Sequence, residues 1–548
     1  MVQVSFDGKT VDFEKNTPVG EVFRKLSYKG KYPLLGALLN NEVVDLEEQI
    51  KRDSALCPID ISSSAGLRIY STSLSFVLVK AVKKIFPHNN PIVQHSLAGG
   101  LFIEFEKKKL LSFKDIQRIK DEMKKIIEGD LPITKETIDI EDGIDYFTSV
   151  NDTNKIKFLK NSFSDKITIY TLDGEKSYFY GPLASSTGVL GLFDLLYYPG
   201  GMVLMFPTPK SPDKVPKFEE QQKLFRVYHE FQDWQKILNV QDVGSLNEAA
   251  LNGTYSQLIK ISEIIHEKKL SRIADKINSS PDIKLILIAG PSSSGKTTFT
   301  KRLSLHLQVA GTKTAMISLD NYFVDRDATP LDEKGAHDFE HIDAIDIELF
   351  NEHLMHLIEG QEVEIPEYNF KTGSREYAGN KLKLDRRQVI LIEGIHGLNP
   401  KLTHYIPEIM KFKIYISALT QLNVDSYNRI PTTDSRLIRR MVRDSKYRNY
   451  SAEDTLKRWP SVRQGEERWI FPFQENATDM FNSALIYELA VLKSEAENLL
   501  RKIEPSSCVY AEAKRLQNFL NYFISIGPEE IPPTSILREF LGNSSFKY

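Results

Sequence analysis

The residues with the clearest chemical potential form a loop between an apolar run, 285–289, and a helix-like stretch that begins at Thr298. The loop has the spacing G-x-x-x-x-G-K-T and consists of Gly290, Pro291, Ser292, Ser293, Ser294, Gly295, Lys296 and Thr297. Its glycines permit a tight turn whose N–H groups face an anion, and the helix aims its positive end at the same point. In such loops the lysine reaches the β- and γ-phosphates and the threonine hydroxyl binds Mg²⁺. The sequence predicts a site for ATP and Mg²⁺ that extends to Thr298.

Two acidic residues follow strand-like runs downstream of this loop. Asp320 comes after the β-rich run 312–319, and Glu393 comes after the apolar run 389–392. Open α/β sheets bind ligands at the carboxyl ends of their strands, so both acids are expected near the phosphates. Asp320 can accept a proton from a substrate hydroxyl or hold Mg²⁺ through water, and Glu393 is the natural metal partner. The alternative role is a helix cap, but two such acids behind one phosphate loop favour a site.

A third group is cationic and follows a helical rhythm. Within thirteen residues the chain places Arg436, Arg439, Arg440, Arg443 and Arg448. Arginines on one side of a helix suit the clamping of phosphates. A charge run is usually a solvated face, but no glutamate is interleaved here as a surface ion-pair ladder would require. The pattern predicts an arginine lid over the phosphates.

Length and composition indicate the number of domains and the class of protein. A chain of 548 residues exceeds one core and indicates several domains. The net charge of −3 gives no argument for nucleic acid or a membrane as the main partner. The two cysteines lie far apart, as in a reducing compartment, and no apolar run approaches membrane-spanning length. Because the first ten residues lack a signal-peptide core, we expect a cytoplasmic protein.

Residues 1–66 show the pattern of a small mixed domain. Two alternating runs, 2–6 and 10–13, predict a hairpin, and Thr17-Pro18 opens a helix. Further strands are predicted over 35–39 and 66–70. The pattern resembles the TGS domain, a β-grasp module at the start of threonyl-tRNA synthetases, although an unrelated α/β unit would share these features.

Residues 67–206 extend that resemblance into the editing-type second domain of the synthetases. The matching features are a helix-like segment 71–82, a glycine-rich strand entry 98–105 and an amphipathic helix 114–127. In that family an H-x-x-x-H pair and a later Cys/His pair gather at one site. Tyr70 and Leu74 stand at the first pair here, and Gly181-Pro182 is followed by Leu183. Without imidazole or thiolate, the resemblance implies a domain that lacks editing chemistry.

Residues 207–280 are expected to connect this half to the nucleotide-binding domain. A proline-rich polar linker, 208–216, precedes three helical stretches at 218–237, 245–252 and 255–277. The remainder divides into a domain over 281–500 and a C-terminal helical extension over 501–548. The predicted fold is therefore an α/β P-loop domain with a parallel sheet flanked by helices, preceded by a β-grasp domain and an α+β domain.

The stretch from 284 to 500 resembles the uridine kinase and phosphoribulokinase family. The resemblance rests on the phosphate loop, on S-L-D-N-Y-F over 318–323, on D-F-E-H-I-D-A-I-D over 338–346, and on the arginine stretch 436–444. It implies that Asp320 is the general base on a nucleoside 5′-hydroxyl, assisted by Lys296 and Arg443. It further implies that Arg443 and Arg448 close over the ATP phosphates and that Thr297 and Glu393 hold the metal. The substrate-binding residues implied are Tyr322, Glu340, Tyr368 and Arg440, of which Glu340 and Arg440 hold the ribose hydroxyls.

Two departures from that family bear on the substrate. Uridine kinases usually carry aspartate where this chain has Glu340, and a base-reading histidine where it has Gly373. A glycine cannot hydrogen-bond a pyrimidine edge with a side chain. The space it leaves would suit a larger base or a different small alcohol.

These observations predict an ATP- and Mg²⁺-dependent kinase for a nucleoside. A sugar-phosphate acceptor, as in phosphoribulokinase, is the nearest alternative. A nucleotide-switched regulator that binds RNA or tRNA is a third hypothesis, and the near-neutral charge counts against it because RNA binding normally leaves a basic footprint. A homo-oligomer is compatible with the sequence.

Overall fold

A computed structural model defines the fold, and its described residues are 1–106, 111–162, 164–332, 335, 337–369, 371–385, 387–420 and 422–547. The chain begins with a five-stranded sheet that packs on helix α1 (Val19–Lys25). The strand order is β2-β1-β5-β3-β4, with β1 Val2–Phe6, β2 Lys9–Phe13, β3 Gly36–Leu39, β4 Glu42–Val44 and β5 Ser54–Ile59. The predicted hairpin and helix are both present. Val22 and Phe23 of the helix pack against the inner side chains of the sheet because apolar residues alternate along β1.

The strand predicted over 66–70 is wrong, since these residues form the first turns of helix α2 (Ser64–Ile85). The Ser63 side chain accepts a hydrogen bond from the Gly66 N–H at 3.0 Å and caps the helix. Helix α2 also has the length and composition of a membrane span, contrary to the expectation from the sequence. However, 67% of its apolar window is buried inside the fold, as in a core helix.

Two antiparallel sheets complete the part of the chain up to residue 206. One has the order β10-β9-β8 and the other β11-β12-β7-β6. The strands are β6 Pro91–Leu97, β7 Gly100–Phe105, β8 Ile133–Asp139, β9 Lys166–Leu172, β10 Glu175–Tyr178, β11 Asp194–Tyr198 and β12 Gly201–Met205. The helices after α2 are α3 Phe113–Glu128, α4 Ile140–Ser149 and α5 Thr153–Lys160. The amphipathic pattern predicted over 114–127 is therefore confirmed, and the apolar side of α3 packs against α2.

Three helices connect this half to the nucleotide-binding part, close to the predicted positions. They are α6 Gln222–Leu238, α7 Val243–Leu251 and α8 Tyr255–Asn278. Helix α8 buries Ile259, Leu270 and Ile273 completely and packs against the helix that follows the phosphate loop. The connecting segment is therefore part of the same core as the nucleotide-binding sheet.

The sheet that carries the phosphate loop has five parallel strands in the order β14-β19-β13-β20-β21. Its strands are β13 Leu285–Ala289, β14 Lys313–Ser318, β19 Gln388–Glu393, β20 Lys411–Ser417 and β21 Asp479–Asn482. Helix α9 (Lys296–Val309) follows β13, and α10 (Ile347–Ile358) lies between β14 and β19. Four short strands form two antiparallel pairs after α10, β15 with β18 and β16 with β17, namely β15 Val363–Glu364, β16 Glu367–Asn369, β17 Ser374–Glu376 and β18 Lys381–Leu382. The central strands are apolar and fully buried on both faces, as a covered parallel sheet requires.

The last part of the chain is helical and belongs to the same core. Its helices are α11 Thr432–Tyr447, α12 Ala452–Trp469, α13 Glu488–Leu500, α14 Tyr510–Leu520 and α15 Arg538–Leu541. Leu516, Phe519 and Phe540 belong to one buried cluster with Ile286 of β13 and Phe299 of α9. The C-terminal extension is consequently packed into the nucleotide-binding part.

The N-terminal half is joined to the nucleotide-binding part by hydrogen bonds and ion pairs. Asn428, in the loop before α11, accepts a bond from the Tyr180 N–H at 2.9 Å and donates to the Tyr178 carbonyl oxygen at 3.1 Å. Arg68 of α2 pairs with Glu512 of α14 at 3.0 Å. A cavity of about 2250 Å³ lies among these elements, with residues of both halves in its wall. The two halves therefore meet over an extended polar and partly open contact.

Because the C-terminal helices share the core of the sheet, Leu516→Ala should destabilise the nucleotide-binding part. Leu516 is fully buried, so we expect a loss of about 2–5 kcal/mol from lost burial and the cavity left behind. Denaturant unfolding followed by tyrosine and tryptophan fluorescence measures this loss. Val309→Ala is the control, since Val309 is 90% exposed. A Leu516→Ala protein that unfolds at the wild-type midpoint would contradict the shared core.

Candidate functional site: a phosphate loop ringed by acids and arginines

The phosphate loop connects the end of β13 to the start of α9. Ser293 and Gly295 both have left-handed backbone angles, with φ of 58° and 84°. This conformation turns successive N–H groups to one side, which makes the loop an anion-binding nest. The Lys296 ammonium donates to the carbonyl oxygens of Gly290 and Pro291, at 3.0 and 3.3 Å. Burial lowers the pKa of Lys296, while the carboxylates of Glu393, Glu539 and Asp320 act in the opposite direction.

Glu393 and Thr297 form a pair of oxygen ligands at the mouth of the loop. The Thr297 hydroxyl lies 3.0 and 3.2 Å from the two Glu393 carboxylate oxygens. Burial, with smaller effects of Asp320 and Glu539, raises the pKa of Glu393 to about 7 against the effect of Lys296. Mg²⁺ prefers hard oxygen ligands of this kind and completes its shell with phosphate oxygens and water. The two side chains therefore fit the predicted metal role.

Asp320 reaches the same place from the neighbouring strand. In the sheet register Ser318 of β14 lies beside Glu393 of β19, and Glu393 lies beside Ile288 of β13. The three strand ends therefore form one edge, and Asp320 follows just beyond it. Asp320 is exposed to solvent, yet loss of water to the surrounding protein raises the pKa of its carboxyl group, while Lys296 and Arg448 oppose that shift. Asp320, Lys296 and Glu393 are thus brought together as predicted.

Glu340 lies on the other side of the loop, near Arg440. Burial and the adjacent Glu466 raise the pKa of Glu340 to about 7, and Arg440 and Lys296 act against this shift. Arg440 donates to the Ser292 hydroxyl at 2.7 Å and pairs with Asp444 at 3.2 Å. The structure therefore brings Glu340 and Arg440 to the phosphate loop together, in agreement with their predicted proximity.

The prediction of an arginine lid is wrong for two of its five members. Arg436 and Arg439 are 1% and 0% exposed and belong to the interior. Arg436 pairs with Glu466 and donates to the Ser292 carbonyl oxygen at 2.9 Å. Arg439 pairs with Glu488 and donates to the Ser483 carbonyl oxygen at 2.8 Å. These two arginines support the loop from behind, because buried acids from distant parts of the chain neutralise them.

The remaining arginines face the cleft around one carboxylate. Asp444 pairs with Arg440, with Arg443 at 2.9 Å and with Arg448 at 3.7 Å. Helix α11, which carries Arg440 and Arg443, is packed against α12, α13 and α15. It is a core helix that presents cations to the cleft, and it does not form a separate flap.

Tyr322 does not line the cleft, so its assignment to substrate is not supported by its position. Its side chain is fully buried against Phe350 of α10, and its hydroxyl lies 3.1 Å from Nδ1 of His353. The next residue, Phe323, instead packs on Tyr368 with a ring separation of 5.5 Å. The tight turn over 319–322 therefore places Phe323, and not Tyr322, against Tyr368.

Arg326 occupies the space that Gly373 was expected to leave open. The Arg326 N–H donates to the Gly373 carbonyl oxygen at 2.8 Å. A Cβ atom on Gly373 would lie 2.7 Å from Arg326 Nε, and the φ of 75° also disfavours a side chain. The predicted vacancy is therefore filled by a guanidinium beside Tyr368. This substitution could not be read from either position alone.

Two acidic residues at the loop were missed by the sequence reasoning. Glu466 accepts a hydrogen bond from the Ser292 N–H at 3.0 Å. Glu539 accepts bonds from Thr298, at 2.7 Å from the hydroxyl and 3.3 Å from the N–H. The sequence signal for Glu539 is an Arg538-Glu539 charge pair within a turn whose neighbours Ile536, Leu537 and Phe540 are apolar.

The positions that correspond to the editing ligands are structural here. The Tyr70 hydroxyl donates to the Leu192 carbonyl oxygen at 2.9 Å and accepts from the Leu192 N–H at 3.0 Å. Burial raises the pKa of Tyr70 to about 12. Leu74 and Leu183 are buried in the core of this region. These three side chains therefore pack the domain.

Comparisons with known proteins give a match in each half of the chain. The model of the "Phosphoribulokinase / Uridine kinase family" matches residues 285–485. Among curated proteins, the threonine–tRNA ligase of Desulforamulus reducens is 27% identical over 202 residues, which are 36% of this chain and 32% of that protein. The ligase of Burkholderia lata is 26% identical over 195 residues, 35% of this chain and 31% of that protein. The chain thus spans about a third of the length of these relatives.

Solved kinase structures resemble parts of the chain at low scores. One, described as a possible uridine kinase from Bacillus stearothermophilus, is 22% identical with a TM-score of 0.21 and covers 24% of this chain and 70% of its own. D-Glycerate 3-kinase from Cryptococcus neoformans var. grubii is 12% identical with a TM-score of 0.20. The match covers 51% of this chain and 90% of that kinase. The strand order and the phosphate loop define the fold of the C-terminal half. The resemblances to the uridine kinase and phosphoribulokinase family and to threonyl-tRNA synthetase, both predicted from the sequence, are confirmed. The C-terminal half therefore contains the segment that matches the phosphoribulokinase / uridine kinase family model, and the N-terminal half is similar to part of threonine–tRNA ligase.

Proposed function

We propose that this P-loop kinase transfers the γ-phosphate of ATP to the 5′-hydroxyl of a nucleoside in the presence of Mg²⁺. One observation carries the proposal: Lys296, Asp320 and the Thr297–Glu393 pair meet at one edge of the parallel sheet. A phosphate cradle, a metal-binding pair and a candidate base are the parts that phosphoryl transfer needs.

In this mechanism each side chain has one task. Asp320 accepts the proton of the acceptor hydroxyl as its oxygen forms a bond to the γ-phosphorus. The bond from that phosphorus to the β–γ bridging oxygen breaks, and ADP leaves with the electron pair. Lys296 contacts the β- and γ-phosphates, and Arg443 and Arg448 stabilise the charge on the transferring group. Mg²⁺, held by Thr297 and Glu393, would neutralise phosphate charge when bound.

The residues proposed to bind the acceptor are suited to a ribose and to the ring of a base. Glu340 and Arg440 offer an acceptor and several donors to neighbouring hydroxyl groups. Phe323 and Tyr368 supply apolar ring faces against which a base can pack. The nearby Arg326 offers donors that match carbonyl oxygens of a base or, in the alternative of a sugar-phosphate acceptor, phosphate oxygens. The identity of the base is left open in the proposal.

We also propose the domain division predicted from the sequence, with boundaries near residues 66, 206, 280 and 500, and a cytoplasmic location.

The alternative function, an RNA- or tRNA-binding regulator, is motivated by the likeness of the N-terminal half to threonine–tRNA ligase. We favour the kinase because the groups for phosphoryl transfer are assembled in one cleft. The net charge of −3 gives no comparable support to RNA binding.

The role of Asp320 is tested by Asp320→Asn. An amide cannot take the hydroxyl proton, so we expect kcat to fall by about 10²–10⁴-fold while the midpoint of unfolding stays at the wild-type value. Phosphorylated product is measured by chromatography with saturating ATP and acceptor. Asp385→Asn is the matched control, because Asp385 is an exposed acid paired with Lys313 at the outer edge of the sheet. A kcat near the wild-type value would exclude Asp320 as the base.

The raised pKa of Glu393 makes Mg²⁺ binding depend on pH near neutrality. The free carboxyl group is protonated below about pH 7 and charged above it. Since only the charged form binds the metal well, the apparent affinity for Mg²⁺ should increase from pH 6 to pH 8, by up to about tenfold per pH unit below the pKa. The apparent affinity is measured by titration of the protein with Mg²⁺ at a fixed concentration of a non-hydrolysable ATP analogue. In Glu393→Gln the binding should be weak and largely independent of pH, and an unchanged pH dependence would contradict the assignment.

A further inference from the structure

The C-terminal turn lies directly on the phosphate loop. The Glu539 carboxylate accepts hydrogen bonds from the Thr298 hydroxyl at 2.7 Å and from the Thr298 N–H at 3.3 Å. Thr298 is fully buried and Glu539 is 8% exposed. A Cβ atom on Gly295 would lie 2.5 Å from Ile536 Cγ2, so the turn touches the loop itself. The chain therefore places its own anion at the start of α9.

The donors that Glu539 occupies are donors that a nucleotide needs. The first N–H groups of α9 have no partner within the helix, and they belong to Lys296, Thr297 and Thr298. In a loop of this type the backbone N–H groups cradle the α- and β-phosphates, while the lysine and the first threonine serve the β/γ end and the metal. Thr298 is the next residue into the helix, so its N–H and hydroxyl are the donors for the α-phosphate.

We propose that Glu539 occupies the α-phosphate position of the loop, so that nucleotide binding must displace the turn formed by residues 536–541. This inference rests on the proposed nucleotide site and adds an internal competitor to it. A carboxylate and an α-phosphate are both anions and cannot share the same two donors. The wild-type chain is thus held in a form with reduced affinity for ATP, and displacement of the turn restores the site.

Several contacts hold the turn in place. The Arg538 guanidinium donates to the carbonyl oxygens of Pro528 and Ile531, at 2.8 and 2.7 Å. Phe540 lies under the Arg439 guanidinium, 5.1 Å from the ring centre, and the same arginine contacts the Ser293 carbonyl oxygen of the loop. Leu537 and Phe540 are fully buried. Displacement of the turn therefore exposes apolar side chains, which sets its energetic cost and makes the released state measurable.

The charge of Glu539 also reaches the catalytic side of the loop. It acts on Lys296, as do Glu393 and Asp320. Removal of Glu539 from the site when nucleotide binds would leave Lys296 to the phosphates.

The test compares the full-length wild-type protein with Glu539→Gln, which keeps the shape and removes the charge. ATP and pyrophosphate are the two probes, since pyrophosphate can fill the β/γ end without an α-phosphate. We expect the variant to bind ATP about fivefold more tightly or better, with pyrophosphate affinity within about twofold of wild type. Calorimetric titration measures both. Glu529→Gln is the matched control, since Glu529 is an exposed acid of the same segment.

A second measurement follows the turn itself. Hydrogen exchange of residues 535–547 in the wild-type protein should become faster when ATP binds, and pyrophosphate should leave it unchanged. Three results would overturn the inference and leave the kinase proposal intact. They are equal ATP affinity in the two proteins, weaker ATP binding by Glu539→Gln, and slower hydrogen exchange of the turn when ATP binds. The expected binding change without any phosphorylated acceptor would instead contradict the kinase proposal and leave this inference standing. Failure of both proteins to bind ATP would overturn both.

Discussion

The parallel register of three strands is the constraint on which the site depends. Because Glu393 lies beside Ile288 on one neighbouring strand and beside Ser318 on the other, the phosphate loop, Glu393 and Asp320 lie at the same edge. A parallel sheet places all its carboxyl ends together, so residues more than a hundred positions apart in sequence converge without any further device. The buried apolar strands and the helices on both faces hold that register.

Many charged side chains lie at this edge of the sheet, and the surrounding residues pair with them or shift their pKa values. Acids at positions 320, 340, 393, 466 and 539 lie around one lysine and a group of arginines. Glu340 and Glu393 respond with raised pKa values, whereas Glu466 and Glu539 accept hydrogen bonds from the loop. Internal carboxylates thus accept hydrogen bonds from the loop and from the first turn of the helix, where anions bind favourably. This balance connects the C-terminal segment to the chemistry of the loop.

The sequence predicted the parts of the site that depend on local pattern and on strand polarity. The loop motif, the acids at strand ends and the helical position of the arginines all follow from periodicity and spacing. The orientation of side chains within short turns did not: the turn over 319–322 buries Tyr322, and Phe323 packs on Tyr368. The burial of Arg436 and Arg439 was also hidden, because their partners Glu466 and Glu488 lie 30 and 49 residues away. The strand expected over 66–70 became helix because a local serine cap outweighed the strand-like alternation.

The most direct measurement of the central claim is product formation with a panel of acceptors. The protein is incubated with ATP, Mg²⁺ and, one at a time, the common nucleosides and sugar phosphates, and the products are separated by chromatography. The account predicts a nucleoside 5′-monophosphate formed in equal amount with ADP for at least one nucleoside. Product only from a sugar phosphate would move the acceptor to the alternative class. Release of inorganic phosphate alone, or no turnover with any acceptor, would contradict the kinase account.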